Sequence, residues 1–397
     1  KEETNNKNLV YSCVFFNEKY INLVGLLLRS YHLFGFDESI QYVIFTNKEF
    51  EPKVRSLCES LGFSFDIWVL DLNTFFESAY CRLMIFDYPH IQDYSKILYL
   101  DCDILIGNCI KPLFQIVTDE ILYTLKEATT KDKNHGGIFF ENDYPETSTF
   151  TTGVLLFKNC NKIKQLFSEV LVHISEYLKT HTEGPGCLDQ PFVIYHALTK
   201  KMYNNELLEG LVINNPKEMK DEIIYHFPSL VGVYETKIHY MNDFLKKLMN
   251  SCKKSDLQIT KVKNQKYIWE NNPIEYLENG SMKAWGNGKY FLLKDNLLQA
   301  DFGGQSHLIR FYDDYKKYIS IRKRDFEIIQ GERIENNLVK IKHFITKKQF
   351  IVNLNDINNA NDFINRINGH ERKTNSKLIE LLNDIPPNYN IIDSGAH

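Results

Sequence analysis

The sequence KILYLDCDILI at residues 96–106 is an apolar strand pattern that runs directly into two acidic residues, Asp101 and Asp103. Residues two apart in an extended chain point to the same side, so both carboxylates are expected together at the strand's end. Paired carboxylate oxygens suit a hard divalent cation such as Mn²⁺ or Mg²⁺. Such a cation could bridge the phosphates of a nucleotide. The simpler alternative is two solvated acids at the end of a strand.

Upstream of this stretch, short apolar runs alternate with helical patterns. The patterns predict strands over residues 8–16, 40–45, 63–70 and 96–100, and helices over 18–35, 52–62 and 79–90. This alternation is typical of an α/β fold with a mostly parallel, doubly wound, Rossmann-like sheet. Ligands of such sheets bind beyond the carboxyl ends of the strands, which is where Asp101 and Asp103 are expected.

The 397 residues suffice for two or three domains, and 43% hydrophobic with 25% charged residues is a globular composition. A net charge of −4 provides no basic field for a nucleic-acid backbone, so we expect no nucleic-acid partner. The apolar runs are too short to span a bilayer. The eight cysteines lack CxxC spacing, which favours reduced thiols and a cytoplasmic location. If the bias toward Lys, Asn, Ile and Tyr reflects a viral genome, that location is the cytoplasm of the host cell.

Six stretches resemble, in family order, the motifs of glycosyltransferase family 8, the glycogenin-like retaining enzymes of GT-A fold. The resemblance covers about residues 8–250, and the stretches are 13–20 (CVFFNEKY), 80–83 (YCRL), 100–103 (LDCD), 150–157 (FTTGVLLF), 188–190 (LDQ) and 226–237 (HFPSLVGVYETK). It implies a GT-A fold and the transfer of a sugar, with retention of configuration, from a UDP-sugar to an acceptor hydroxyl of a glycan or protein.

The resemblance also implies roles for individual residues. A metal ion, Mn²⁺ or Mg²⁺, would be held by Asp101, Asp103 and His226. Asp189 and Gln190 would lie beside the reacting anomeric carbon. The UDP-sugar would be bound by ten positions: Phe15, Asn17, Tyr20, Arg82, Asp101, Cys102, Asp103, Thr151, Gly232 and Lys237. No pair of carboxylates spaced as in retaining glycosidases is evident, which favours front-side attack.

Several of these residues also have ordinary structural explanations. Asn17 and Asp189 stand where residues that cap a helix are common. Tyr20 is usual on an amphipathic helix, and Arg82 is usual in a salt bridge. A lone histidine such as His226 is more often a core residue than a metal ligand.

The sequence departs from the family pattern in three places. Thr151 stands where the family usually has Asn, so a hydroxyl replaces a carboxamide near the donor sugar and the identity of that sugar stays open. Ser229 and Leu230 replace glycines, which makes Gly232 the better candidate for close approach of the backbone to the diphosphate. The segment 226–237 is also longer than its counterpart in glycogenin.

The predicted domains are a GT-A domain at 1–255, a β-rich module at 256–335 and a helical C-terminal segment at 336–397. The module combines aromatic residues and turn glycines without crossover helices. Its Trp269, Trp285 and Tyr290 would either stack on an acceptor sugar or pack in a core.

The last seven residues, IIDSGAH at 391–397, resemble the opening strand and glycine turn of an FkbM-type S-adenosylmethionine-dependent methyltransferase. Unless this match is fortuitous, we expect the chain to be a fragment of a longer protein, with the start of a further domain truncated here.

Two rival functions stay open. One is a catalytically silent glycan-binding or scaffold protein of the same fold. The other is a sugar nucleotidyltransferase, which usually carries a Gly-rich loop after its first strand, whereas residues 13–20 contain no Gly. The expected partners are a UDP-sugar and a carbohydrate or glycoprotein acceptor, and a homodimer is compatible with the sequence.

Overall fold

The computed structural model describes residues 7–62, 65–141, 143–228, 234–255, 261–270, 272–284, 286–294, 296–334, 338–342 and 349–353. The chain forms two compact units, Lys1–Leu248 and Met249–His397. The domain boundaries expected at 255 and 335 stay predictions.

Within the described residues, the first unit contains two sheets and seven α-helices. Its strands are β1 (Lys7–Val14), β2 (Ile40–Thr46), β3 (Phe65–Val69), β4 (Tyr94–Leu100), β5 (Ile104–Ile106), β6 (Leu122–Thr129), β7 (Ser148–Lys158), β8 (Tyr203–Asn204), β9 (Val212–Asn214) and β10 (Ile224–His226). Its helices are α1 (Lys19–Ser30), α2 (Glu51–Ser60), α3 (Phe75–Tyr80), α4 (Lys111–Gln115), α5 (Asn161–Leu178), α6 (Gln190–Thr199) and α7 (Tyr234–Ser251).

The main sheet has the strand order β3-β2-β1-β4-β7-β6-β8, and a smaller sheet has the order β5-β10-β9. In the main sheet only β7 runs against its neighbours. The central strands are apolar and buried on both faces, as expected where helices cover a parallel sheet. The predicted α/β class with a mostly parallel sheet is therefore confirmed.

The helix predicted over residues 79–90 is wrong in type. Helix α3 begins with a capping box formed by Thr74 and Glu77 and ends at Tyr80, and 3₁₀ turns follow over Cys81–Asp87. Arg82 Nε donates to the carbonyl of Ala79 (2.9 Å), so a side chain occupies a carbonyl that a continuing α-helix would use. The predicted helix over 18–35 is α1 followed by a π-helical turn, Tyr31–Gly35.

The second unit contains an eight-stranded antiparallel meander, which confirms the predicted β-rich module. Its strands are β11 (Gln265–Trp269), β12 (Asn272–Tyr276), β13 (Ser281–Ala284), β14 (Gly286–Lys294), β15 (Leu297–Phe302), β16 (Gln305–Tyr312), β17 (Lys317–Arg322) and β18 (Ile328–Glu332). The first and last strands meet, because Tyr267 bridges Arg333 and the N–H of Ile334 donates to the carbonyl of Lys266 (2.8 Å). This contact joins the two edges of the meander into a barrel-like closure.

Aromatic side chains fill the core of this second unit. Trp269 is 1% exposed and Tyr290 is 4% exposed, so the structure supports core packing for both rings and contradicts their use in sugar stacking. Trp285 lies outside the described residues.

The helix predicted from residue 336 onward is wrong where the structure describes it. β19 (Leu338–Lys342) and β20 (Gln349–Asn353) form an antiparallel hairpin there. Leu338–Lys342 alternates β-branched residues with lysines, and Gln349–Asn353 contains a short run of aromatic and β-branched residues, and both patterns are typical of strands. The segment 391–397 lies outside the described residues.

None of the eight cysteines forms a disulfide within the described residues. Of the helices in the described ranges, none combines the length and apolar character needed to cross a membrane.

Candidate active site

The two acidic residues that follow β4 lie beside a histidine from a strand that is remote in sequence. The N–H of Asp101 donates to the carbonyl of Gly153 in β7 (2.9 Å). Farther along, β5 pairs with β10, and the N–H of Phe227 donates to the carbonyl of Asp103 (2.9 Å). These pairings bring His226 to the acidic pair, and one ligand atom from each of the three lies within 4.8 Å of the others.

A ring nitrogen of His226 faces carboxylate oxygens of Asp101 and Asp103. His226 Nε2 lies 3.5 Å from Asp103 Oδ1 and 4.0 Å from Asp101 Oδ2. Both Nε2 and Asp103 Oδ1 are buried without a hydrogen-bond partner among the described residues. Such atoms are costly to bury unpaired, and a divalent cation among them would provide the missing partner. The residues therefore fit the metal that the family resemblance implies.

Gly153 keeps the space beside these ligands open. A β-carbon at this position would lie 2.3 Å from Cε1 of His226 and 2.9 Å from Oδ2 of Asp101. Because the first distance is far below van der Waals contact, a side chain here would displace the imidazole. Glycine is thus required for the histidine and the acids to share one site.

Two cationic side chains flank the acidic pair. Arg82 Nη1 donates to Asp101 Oδ1 (3.2 Å), and Lys237 Nζ donates to Asp103 Oδ2 (2.6 Å) and to the carbonyl of Pro228 (3.1 Å). Burial alone would raise the pKa of Asp103, but its contacts with His226 and Lys237 outweigh burial and hold that pKa well below its usual range. Asp103 is therefore ionised at neutral pH.

Arg82 is buried and joins three parts of the site. Its Nη1 also donates to the carbonyl of Thr152 (2.9 Å), its Nε lies 3.3 Å from Asp189 Oδ2, and its guanidinium carbon lies 4.7 Å from the ring centre of Tyr99. Burial opposes the charged form, yet Asp101 and Asp189 raise the pKa of Arg82 well above its ordinary value. The salt-bridge alternative for Arg82 is therefore present, at the site itself.

Asp189 and Gln190 lie at the start of α6, next to strand β7. Asp189 occupies the N-cap position, but its side chain makes no cap hydrogen bond in the described part of the chain. Burial raises the pKa of Asp189 to about 6, against the opposing effect of Arg82. Gln190 Oε1 accepts from the N–H of Thr152 (3.0 Å), and its Nε2 donates to the carbonyl of Asn134 (3.3 Å). Their assignment beside the reacting carbon stays a prediction.

The residues predicted to hold the nucleotide lie after β1. Asn17 Oδ1 accepts from the N–H of Lys19 (3.0 Å), but the N-cap of α1 is Glu18, so Asn17 bonds the start of the helix without occupying the N-cap position. Tyr20 is 37% exposed, whereas Phe15 is buried and lines a pocket of about 330 Å³. Phe16 has a φ of 58° and is 43% exposed, which is unusual for a bulky residue.

The remaining predicted residues differ in how they are placed. Cys102 Sγ donates to the carbonyl of Cys13 (3.1 Å), and Thr151 Oγ1 accepts from the N–H of Gly153 (3.2 Å). Lys237 lies in the first turn of α7. Gly232 lies outside the described residues.

Sequence reasoning missed two polar residues behind the site. Asn214 Oδ1 lies 2.8 Å from His226 Nδ1, and Asn214 Nδ2 donates to Glu127 Oε1 (3.2 Å). Each residue sits in or at the end of a short strand and carries no motif, so only the three-dimensional pairing reveals them.

Residues 71–203 match the family model "Glycosyl transferase family 8". The resemblance to this family is thereby confirmed over the segment that contains Asp101, Asp103 and Asp189, and it supports a glycosyltransferase. None of the curated proteins matches the chain.

Three solved structures illustrate the similarity in three dimensions. Mouse xyloside xylosyltransferase 1, in its apo form, is 13% identical, with a TM-score of 0.43 over 57% of this chain and 99% of that chain. The galactosyltransferase LgtC, in complex with donor and acceptor sugar analogues, is 14% identical, with a TM-score of 0.43 over 60% and 95%. The glycosyltransferase GlyE of Streptococcus pneumoniae TIGR4 is 17% identical, with a TM-score of 0.37 over 65% and 67%.

Proposed function

We propose that the first unit transfers a sugar from a UDP-sugar to an acceptor hydroxyl, with a divalent cation and with retention of configuration. The observation that carries this proposal is the cluster of Asp101, Asp103 and His226, with its unpartnered buried atoms, inside a segment that matches family 8. A carbohydrate or a glycoprotein would be the acceptor. We also expect the protein to act in the cytoplasm, because its cysteines carry no CxxC spacing and form no disulfide within the described residues.

The metal would be Mn²⁺, held by Asp101, Asp103 and His226, and its contribution when bound is to neutralise the charge of the departing diphosphate. Lys237 bonds Asp103 directly, and its ammonium group can turn from Asp103 to a diphosphate oxygen. Arg82 keeps Asp101 in place through its buried guanidinium group. The nucleotide would rest against Phe15, Asn17, Tyr20 and the backbone around Cys102, with Thr151 and Gly232 nearer the sugar and diphosphate.

Retention would follow from attack on the face that the diphosphate leaves. Asp189 is 1% exposed and is paired with Arg82, so it is poorly suited to attack the sugar as a nucleophile. Asp189 and Gln190 would instead stabilise positive charge near the anomeric carbon. The acceptor's proton would then pass to the departing diphosphate.

The test is the release of UDP from a panel of UDP-sugars, with and without Mn²⁺, followed by analysis of the product anomer. The proposal expects metal-dependent release with one preferred sugar and an α-linked product from an α-linked donor. A β-linked product would contradict retention, and equal turnover in excess chelator would contradict the metal assignment.

A catalytically silent protein of the same fold is the main rival, because both motif acids already form ion pairs, with Arg82 and Lys237. It predicts no UDP release from any donor while glycan binding persists. A sugar nucleotidyltransferase predicts pyrophosphate release from UTP instead. One panel of donors and UTP therefore separates the three functions.

A further inference from the structure

A line of polar side chains extends from His226 away from the candidate metal position. His226 is 1% exposed, and its Nδ1 lies 2.8 Å from Asn214 Oδ1. Asn214 Nδ2 in turn lies 3.2 Å from Glu127 Oε1. The three residues come from β10, β9 and β6, and Asn214 and His226 are direct register partners in parallel strands. Strand pairing therefore fixes the histidine and the amide side by side.

The chemistry of Glu127, whose other oxygen lies 3.7 Å from His135 Nε2, determines the direction of both hydrogen bonds between Glu127 and His226. An ionised carboxylate only accepts hydrogen bonds, so Asn214 must turn its NH₂ group toward Glu127. The amide oxygen of Asn214 then faces His226 Nδ1, and an oxygen only accepts. The proton of a neutral His226 ring is consequently on Nδ1, and Nε2 carries a lone pair.

The opposite tautomer would leave no lone pair on Nε2 for a cation. A proton on Nε2 would point at Asp103 Oδ1, which lies 3.5 Å away, and would supply the partner that both atoms lack. It would also leave the Nδ1 lone pair facing the Asn214 oxygen, which is repulsive. The line of side chains therefore favours the ring form that leaves Nε2 available to a cation.

We propose that Asn214 and Glu127 are positioning residues that hold His226 as its Nδ1–H tautomer and thereby set the affinity of the site for a divalent cation. Partners of this kind behind a histidine ligand typically change metal affinity about 10- to 100-fold when they are lost. The proposal rests on the metal site of the proposed function, but the tautomer is a property of the metal-free protein. It can therefore be measured without metal and without turnover.

The first experiment uses the metal-free protein, with ¹⁵N-labelled histidine, and reads the tautomer of His226 from its nitrogen shifts and couplings. The parent is expected to carry the proton on Nδ1. Asn214→Leu removes the acceptor and is expected to shift the ring toward the Nε2–H form. Mn²⁺ affinity, followed by the electron paramagnetic resonance of free Mn²⁺, is expected to fall about 10- to 100-fold in the same variant.

A reciprocal exchange tests the direction of the hydrogen bonds. Asn214→Asp alone sets two carboxylates against each other, and this repulsion is expected to turn the new carboxylate away from His226 Nδ1 and so to weaken both the Nδ1–H preference and Mn²⁺ binding. Adding Glu127→Gln restores a donor facing an acceptor with the same total charge, so the double variant should recover most of the affinity and the Nδ1–H tautomer. Glu146→Gln is the matched control, because it removes the same charge from an exposed residue that bonds only Thr129 among its described contacts.

Three results would overturn the inference: an Nε2–H tautomer in the metal-free parent, an unchanged tautomer in Asn214→Leu, or no recovery in the double variant. Melting temperatures of all variants show whether any loss reflects unfolding, and recovery in the double variant cannot arise from unfolding. If the parent binds no Mn²⁺, the metal assignment of the proposed function fails, while the tautomer measurement still decides the role of Asn214 and Glu127.

Discussion

Asp103 meets opposite demands at the scale of a single residue. Its carboxylate is largely buried, yet His226 and Lys237 keep its pKa well below the usual range, so it stays charged. One oxygen is taken by Lys237 and the other has no partner among the described residues. A cation site needs this combination, because a fully paired carboxylate would have no oxygen to offer.

Asp103→Asn should abolish metal-dependent turnover with little change in fold. The amide keeps the shape of the side chain but loses the charge that attracts the cation. Charge stabilisation by a metal contributes several kcal/mol, so we expect UDP release to fall about 100-fold or more. Asp119→Asn, at an exposed position, is the control for the same chemical change. Normal turnover in Asp103→Asn would contradict the assignment of Asp103 as a metal ligand.

Lys237→Met should separate metal binding from nucleotide binding. The ammonium group of Lys237 occupies Asp103 in the protein without ligands, so it competes with a cation for that oxygen. Its loss should raise the affinity for Mn²⁺ alone and lower the affinity for UDP in the presence of Mn²⁺. Calorimetric titration of each ligand measures both changes, with Lys247→Met on the exposed side of α7 as the control. A parallel fall in both affinities would contradict the competition.

At the scale of elements, the site forms where two pairings of strands meet. β4 pairs with the antiparallel strand β7, which delivers Gly153, and β5 pairs with β10, which delivers His226. The strands β1, β2 and β4 follow directly from apolar runs, and the motif at their end was predictable from local sequence. Asn214 and Glu127 were not predictable, because their meeting depends on the register of strands about 90 residues apart.

The failed helix predictions have local causes as well. Residues 81–87 carry a helical pattern, but the side chain of Arg82 bonds the backbone and reaches into the site, which favours 3₁₀ turns. Here the requirements of the site override the intrinsic preference of the segment.

The packing of α5 against α6 predicts a dependence of stability on pH. His196 lies 3.1 Å from His173 and near Glu169, and burial together with His173 lowers the pKa of His196 to about 4. Because the unfolded chain binds this proton at about pH 6.5, the stabilising contribution is complete above that pH and is lost as the pH falls toward 4.

His196→Gln cannot take up this proton, so its free energy of unfolding should fall less between pH 7 and pH 5 than that of the parent. The difference should be about 1 kcal/mol, since the ring is only partly buried. Urea unfolding at both pH values measures it, with His239→Gln at an exposed position as the control. An equal decline in His196→Gln and the parent would show that His196 does not cause it.

At the scale of the whole molecule, each unit contains a core cluster. The cluster of the first unit joins the main sheet to α5 and α6, and that of the second is formed by the meander and Val262. Trp269 lies in the second core, 1% exposed, with its ring 4.9 Å from that of Phe302 and 4.9 Å from that of His307. The stability of the second unit therefore depends on this ring.

Trp269→Ala should lower the stability of the second unit by about 3–5 kcal/mol, the usual cost of removing a large buried aromatic side chain. The transition of the first unit is recognised because Mn²⁺ and UDP should raise its melting temperature. In calorimetry of full-length Trp269→Ala with both ligands, the transition of the first unit should occur at the same temperature as in the parent. The transition of the second unit should occur at a lower temperature than in the parent. Val172→Ala, at a 62% exposed position in α5, is the control for losing apolar surface without a core contact. A shift of both transitions together in Trp269→Ala would mean that the two units unfold as one.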